Sequence, residues 1–139
     1  MVAAGARTLE ISASNRDDFM KDLAHWRPRA EPSLAPLEGR FARLEAAIFP
    51  GAARELFPVL GGPANADLWT HIPIGPFDSA EALGETMAAV AGAHNWKTYL
   101  IRDTRTGAPL GMASYMRIRP ADGSIEGGCI VCSKDLQRT

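Results

Sequence analysis

The fold is decided by residues 96–132, which read WKTYLIRDTRTGAPLGMASYMRIRPADGSIEGGCIVC. Two short turns divide this stretch into three runs of strand-forming residues, at 96–102, 110–119 and 124–132. Each turn closes on a glycine, Gly107 or Gly123, and glycine reaches the positive φ that tight turns need. Strands joined by such short turns pair antiparallel. The sequence therefore predicts a three-stranded antiparallel meander.

A further strand is predicted upstream, at residues 39–46. Its apolar residues Phe41 and Leu44 are expected to be buried anchors. Arg40 and Arg43 are expected to face solvent.

Two helices are predicted between that strand and the meander. The first covers residues 50–60, with the apolar face Ala53, Leu56, Phe57 and Leu60, and Gly61-Gly62-Pro63 ends it. The second begins at the capping-box-like pair Asp78 and Glu81 and runs to about Ala93. The order strand, helix, helix, meander indicates an α+β domain. Residues 61–77 are expected to form a long loop between the helices.

Residues 1–36 have a different character from the rest of the chain. Residues 15–26 predict a short helix, and Pro28, Pro32 and Pro36 then favour an extended linker. We therefore divide the chain into an N-terminal helix and linker, 1–36, and a domain, 37–139.

Charge and hydropathy exclude several classes of protein. With 15 basic and 16 acidic residues, the formal net charge is -1, which gives no electrostatic reason to bind nucleic acid or an anionic membrane. No apolar run approaches the roughly 18 residues of a membrane span. Residues 1–10 lack the features of a secretory signal. We expect a cytoplasmic protein.

Cys129 and Cys132 form a C-x-x-C spacing, which invites a metal or redox interpretation. A structural zinc site needs about four ligands, however, and this pair supplies two. Residues three apart on a strand also point to opposite faces. We therefore expect two small apolar strand residues and no metal.

Several short segments carry a family resemblance. They are LEGRFARLE at 37–45, DLWTHIP at 67–73, YLIRD at 99–103, LGMASY at 110–115, GSIE at 123–126 and LQRT at 136–139. In this order and spacing they resemble the GNAT superfamily of N-acetyltransferases, in its ribosomal-protein N-acetyltransferase-like branch. The resemblance implies an acyl-CoA N-acyltransferase fold and the transfer of an acetyl group from acetyl-CoA to a primary amine.

The resemblance also implies where acetyl-CoA binds. Backbone groups of Ile130 and Val131 would contact the pantetheine arm. Arg138 and Thr139 would begin the loop that holds the pyrophosphate on backbone N–H groups at a helix N-terminus. Because the sequence stops at this loop, we expect an incomplete GNAT-type fold, truncated at its C-terminal side.

Glu126 is the candidate catalytic base. By resemblance its strand lines the acetyl group, and a carboxylate there can take the proton of the attacking amine. The alternative is a solvent-facing strand residue paired with Arg117 or Arg119 across the hairpin.

Trp69, His71 and Tyr115 are candidates for binding the acceptor. Trp69 and Tyr115 could form rigid walls of a pocket, and His71 could contact the substrate. The alternatives are a core position for Trp69 and a plain loop position for His71.

Two functions remain open at this stage. The first is an acetyl-CoA-dependent N-acetyltransferase acting on a small-molecule or peptide amine. The second is a non-catalytic relic or interaction module that binds no CoA and associates through strand 124–132. Partners would be a second copy of the chain or a complementing C-terminal fragment.

Overall fold

The structure is a computed structural model that describes residues 25–138, Arg138 through its backbone alone. Most of the predicted helix at 15–26 therefore lies outside the described residues. The described chain runs in the order β1 (Leu37–Glu38), β2 (Ala42–Ala46), α1 (Ala53–Leu60), a 3₁₀ helix (Pro63–Trp69), α2 (Ala80–His94), β3 (Lys97–Asp103), β4 (Pro109–Arg119), β5 (Ser124–Cys132) and a second 3₁₀ helix (Leu136–Arg138).

The predicted meander is confirmed. The described strands form a five-stranded antiparallel sheet in the order β1-β2-β3-β4-β5. Gly107 and Gly123 take the positive φ values of 71° and 61° that their turns require. The strand β5 begins and ends at the predicted residues.

The upstream strand differs from its prediction. The Gly39 N–H donates to the Ala42 carbonyl at 2.9 Å, so a turn separates β1 from β2. Phe41 lies in this turn with 73% of its surface exposed, and its prediction as a buried anchor is wrong. Arg43 is of intermediate burial, its side chain remains 43% exposed, and its Nη2 lies 3.4 Å from Glu45 Oε2.

Both helices form, with shifted starts. The helix α1 begins at Ala53 and not at residue 50, because a turn held by the bond from the Ala52 N–H to the Ile48 carbonyl comes first. The helix α2 is capped by Ser79, whose Oγ accepts from the Ala82 N–H at 3.1 Å. The prediction of Asp78 as the start was thus wrong by one residue.

The core lies between the two helices and one face of the sheet. Its side chains with no exposed surface are Leu56, Leu60, Leu83, Met87 and Met112. Burying a side chain of this size contributes about 1.5–3 kcal/mol. The two helices approach closely at Gly84 of α2, where an added Cβ would lie 3.2 Å from the Ala53 Cβ of α1. No helix within residues 25–138 is long and apolar enough to cross a bilayer.

The opposite face of the sheet carries residues 26–36, which we call the strap. It contains no helix or strand. The Tyr99 hydroxyl donates to the carbonyls of Ser33 and Ala35 at 3.2 and 3.0 Å, and the Lys97 ammonium donates to the Pro32 carbonyl at 2.8 Å. These bonds dock the linker on the sheet.

Candidate functional site

The strand β5 is the edge of the described sheet. It pairs with β4 alone, so one side of its backbone has no strand neighbour among residues 25–138. Ile130 is 56% exposed on this strand, whereas the next residue, Val131, is 1% exposed and belongs to the core. The two predicted pantetheine-contacting residues therefore lie side by side at a sheet edge.

A β-bulge interrupts β5 next to these residues. Ser114 pairs with Gly128 and Met112 pairs with Val131, so two residues of β5, Cys129 and Ile130, oppose one residue of β4. Cys129 takes a φ of 44°, which is rare outside glycine. Bulges bend a strand and occur often beside active sites. This one turns Ile130 outward while Val131 stays in the core.

The bulge also decides the placement of the two cysteines. Cys129 packs against the core, as Val131 does, and alternation from Val131 places Cys132 on the other face. Burial raises the pKa of the Cys129 thiol to about 11 and also raises the pKa of Cys132. Cys129 is therefore a weak nucleophile. Within the part of the chain that the structure describes, no group of three or more histidine, cysteine or acidic residues could hold a metal ion.

Glu126 lies at the beginning of β5 and pairs with Met116 of β4. The Arg117 Nη1 lies 2.9 Å from Glu126 Oε2, and the Glu126 side chain is 42% exposed. This is the cross-hairpin ion pair that the sequence offered as the alternative to catalysis. Arg117 has a φ of 47° and sits in a second bulge, in β4, that directs it toward Glu126. The carboxylate remains accessible, so an incoming amine can reach it.

Trp69 and His71 occupy the predicted loop but have different surroundings. The Trp69 ring is 2% exposed and meets Phe77 edge-on, with ring centroids 4.9 Å apart. Its indole N–H donates to the Leu60 carbonyl at 2.7 Å. Trp69 thus occupies the core position, and His71 is an exposed loop residue. Their roles in binding an acceptor stay predictions.

Tyr115 is half-buried in β4, edge-on to Tyr99 with ring centroids 5.7 Å apart. Burial, followed by the neighbouring Tyr115, raises the pKa of Tyr99. Tyr115 pairs with Gly127 of β5, so it is a direct cross-strand neighbour of the Glu126 region. Because Glu126 pairs with Met116, the residue next to Tyr115, alternation places the Tyr115 and Glu126 side chains on opposite faces of the sheet. Trp69 ends the 3₁₀ helix Pro63–Trp69, and His71 follows it.

The segment after β5 forms a turn. The Ser133 N–H donates to the Leu110 carbonyl at 2.8 Å, and its Oγ accepts from the Leu136 N–H at 3.3 Å. The Lys134 ammonium lies 3.1 Å from the Asp67 carboxylate and thus ties this end of β5 to the 3₁₀ helix Pro63–Trp69. The Arg138 side chain and Thr139 lie outside the described residues, so their predicted phosphate contacts stay predictions.

Sequence reasoning did not single out Lys134 or a cavity beside the β3–β4 turn. This cavity, of about 770 Å³, is lined by Arg40, Phe41, Arg105, Leu110 and Leu136 among others. No sequence signal pointed to it, because Phe41 was expected to be buried.

Comparison with known proteins identifies the fold. No protein-family model and no curated protein sequence matches the chain. Three solved chains do, two of which are the following. A GCN5-related N-acetyltransferase from Brucella melitensis matches with a TM-score of 0.71 and 27% identity, covering 83% of this chain and 52% of its own. A protein described as a probable acetyltransferase of the GNAT family from Chromobacterium violaceum matches with a TM-score of 0.72 and 24% identity. This match covers 100% of the present chain and 62% of the Chromobacterium protein.

The present chain thus spans between half and two thirds of the length of these two proteins. The matches confirm the α+β class and the arrangement of helices and antiparallel sheet that the sequence predicted. The chain has the fold of the GNAT-family N-acetyltransferases.

Proposed function

We propose that the protein is an acetyl-CoA-dependent N-acetyltransferase that acetylates a primary amine. The observation that carries the proposal is the fold match to two acetyltransferases, which covers 83% and 100% of this chain. Fold alone does not specify chemistry, so the proposal also relies on the edge strand β5 and on Glu126. The segment DLWTHIP at 67–73 further supports the ribosomal-protein N-acetyltransferase-like branch, and hence a peptide amine among the acceptors.

The donor side of the proposed site is the bulged part of β5. Acetyl-CoA supplies the acetyl group as a thioester. The backbone of Ile130 and Val131 would bind its pantetheine arm, since an edge strand offers N–H and carbonyl groups to an extended partner. The bulge at Cys129 supports this role because it leaves Ile130 exposed beside a buried, fixed Val131.

The acceptor side is built around Glu126. An amine attacks a thioester only when it is neutral, so the attacking group must lose a proton. The Glu126 carboxylate is held by Arg117 at 2.9 Å and stays accessible to an ammonium group or to a bridging water. Tyr115, on the opposite face of the sheet from Glu126, and the exposed loop residue His71 stay proposed contacts to the acceptor. Trp69 is a core residue and would act only by supporting that loop.

The test measures the free CoA thiol that is released from acetyl-CoA, which a thiol reagent detects. Small primary amines and basic peptides serve as acceptors. We expect turnover that depends on the amine and falls in Glu126→Gln. Glu85→Gln serves as a matched control, since this glutamate lies exposed on α2 away from the sheet edge. No acceptor-dependent thiol release from a folded sample would contradict the proposal.

A second candidate is a non-catalytic module that associates through β5. Ile125 and Ile130 are both exposed on this edge strand, and such edges pair readily with other chains. Sedimentation of the chain separates the two candidates. Oligomers that form without acetyl-CoA binding would favour the module, whereas acetyl-CoA binding by a monomer or dimer would favour the enzyme.

A further inference from the structure

A small cavity lies where the strap crosses the β4–β5 turn, and we call it the hairpin cavity. Its lining consists of Arg29, Ala30 and Pro32 from the strap and of residues 118–120 and 123–125 from the hairpin. Its volume is about 220 Å³, which is below the roughly 300–1,000 Å³ of small-molecule sites. The hairpin cavity therefore suits a single side chain of a larger ligand.

The strap is fixed to the turn beside this cavity. The Arg29 N–H donates to the Pro120 carbonyl at 2.9 Å. The Trp26 indole N–H donates to the Ala121 carbonyl at 2.8 Å. The Arg29 guanidinium lies 4.7 Å from the centre of the Trp26 ring, so the ring orients the cation. Because these groups are held in place before a ligand arrives, binding costs less entropy.

Two arginines of the hairpin cavity have charges that are available to a ligand. Among residues 25–138, neither Arg29 nor Arg119 has a carboxylate oxygen within 4 Å of its guanidinium. The nearby Arg117 differs from them, because it is paired with Glu126. Guanidinium groups match carboxylates through two parallel N–H bonds. The hairpin cavity therefore suits the carboxylate of an aspartate or glutamate side chain.

The hairpin cavity lies next to the proposed acceptor side. Ser124 and Glu126 share one face of β5, because they are two residues apart. Arg119 pairs in register with Ser124 and so lies on the same face of the hairpin as Glu126. The lining also includes Ile125 and the strap, which belong to the other face, so the cavity lies at the end of the hairpin. At about 3.3 Å per strand residue, the pair of Arg119 and Ser124 is about 7 Å along the strand from Glu126.

We propose that Arg29 and Arg119 select peptide acceptors that carry aspartate or glutamate at the second or third residue. The inference rests on the proposed function, since it names the class of acceptor for the same site. An extended peptide also advances about 3.3 Å per residue, so an amino group at Glu126 brings these positions to the hairpin cavity. The two arginines bind and position the acceptor, and Glu126 takes the proton.

The first test compares the acetylation of two lysine-free peptides that begin with Ser-Glu-Glu and Ser-Gln-Gln and are otherwise identical. We expect kcat/KM of the parent chain to be about tenfold higher for the acidic peptide. Arg29→Gln/Arg119→Gln should lower kcat/KM for the acidic peptide about tenfold, mainly through KM, and leave the neutral peptide unchanged. The backbone N–H that ties the strap to Pro120 is kept in this variant.

The matched control is Arg27→Gln/Arg54→Gln. This variant loses the same charge from two exposed arginines that do not line the hairpin cavity. It should keep the preference of the parent chain for the acidic peptide. Equal kcat/KM for both peptides in the parent chain, or an equal loss in both double variants, would overturn the proposal.

A binding measurement separates this inference from the proposed function. The two peptides, labelled with a fluorophore at the C-terminus, are titrated with the parent chain and both double variants while anisotropy is recorded. We expect tighter binding of the acidic peptide, lost in Arg29→Gln/Arg119→Gln and kept in the control. This result without acetylation of either peptide would contradict the proposed function and still support the cavity as an acidic-peptide site. Equal binding of both peptides by the parent chain would overturn the inference.

Discussion

Gly111 of β4 lies at the closest approach between the two strands of the proposed donor site. A Cβ added at this glycine would lie 2.4 Å from the Val131 carbonyl oxygen and 3.2 Å from the Cys132 Cα. Ordinary contacts begin near 3.4 Å. Because both obstacles are backbone atoms, no side chain can swing away. Gly111→Ala must therefore push β5 outward by about 1 Å, the difference between these distances.

The cost of such overpacking is about 1–3 kcal/mol. In urea, with a slope of about 2 kcal/mol per molar for a domain of this size, the unfolding midpoint should fall by about 0.5–1.5 M. The same displacement moves the Val131 backbone. We therefore expect KM for acetyl-CoA to rise in Gly111→Ala together with the loss of stability.

The control is Gly127→Ala in β5, where an added Cβ meets no atom within 4 Å. This variant should keep the midpoint or raise it, because alanine costs less conformational entropy than glycine by about 0.5–1 kcal/mol. Equal midpoints for Gly111→Ala and the parent chain would refute the close approach. If the urea midpoint fell equally in both variants, any alanine in these strands would destabilise the fold. The close contact at Gly111 would then not be the cause.

Three further predictions concern other parts of the molecule. Trp69→Phe removes the donor to the buried Leu60 carbonyl and should lower the free energy of unfolding in urea by about 1–3 kcal/mol, and a parent-like midpoint would contradict that bond. Glu126→Gln should lower kcat by about 10²- to 10⁴-fold in the thiol-release assay and leave KM for acetyl-CoA unchanged, whereas parent-like kcat would exclude Glu126 as the base. Because the pKa of Cys129 is raised to about 11, the unfolded thiol ionises first, and the stability from burying it should fall between about pH 9 and pH 11. Cys129→Ala should flatten this part of the curve, and an unchanged pH dependence would argue against the buried thiol.

The meander could be predicted from sequence because its determinants are local. Gly107 and Gly123 fix two turns, and alternation within each strand then fixes the faces. The error at Phe41 has a non-local cause, since the Gly39 turn and the hydrogen bonds from Thr104 set its position. The error at Asp78 arose because Ser79, an equally good cap, is its immediate neighbour.

The candidate site could be predicted only in part. Arg117 and Glu126 were expected in one hairpin, but their ion pair depends on the bulge at Arg117, because Glu126 pairs in register with Met116. The bulges at Arg117 and Cys129 require a positive φ in residues that rarely adopt it, and no local sequence pattern predicts them. The cavity beside the β3–β4 turn joins residues about 60 positions apart, as the bond between Thr104 and Arg40 illustrates, so sequence alone could not assemble it.

The central claim is that this chain holds acetyl-CoA along β5. Calorimetric titration of the 139-residue chain with acetyl-CoA, with the oligomeric state measured in the same buffer, tests it most directly. We predict saturable binding near one acetyl-CoA per chain that weakens in Gly111→Ala and persists in Gly127→Ala. No binding up to millimolar acetyl-CoA by a folded sample would contradict the claim.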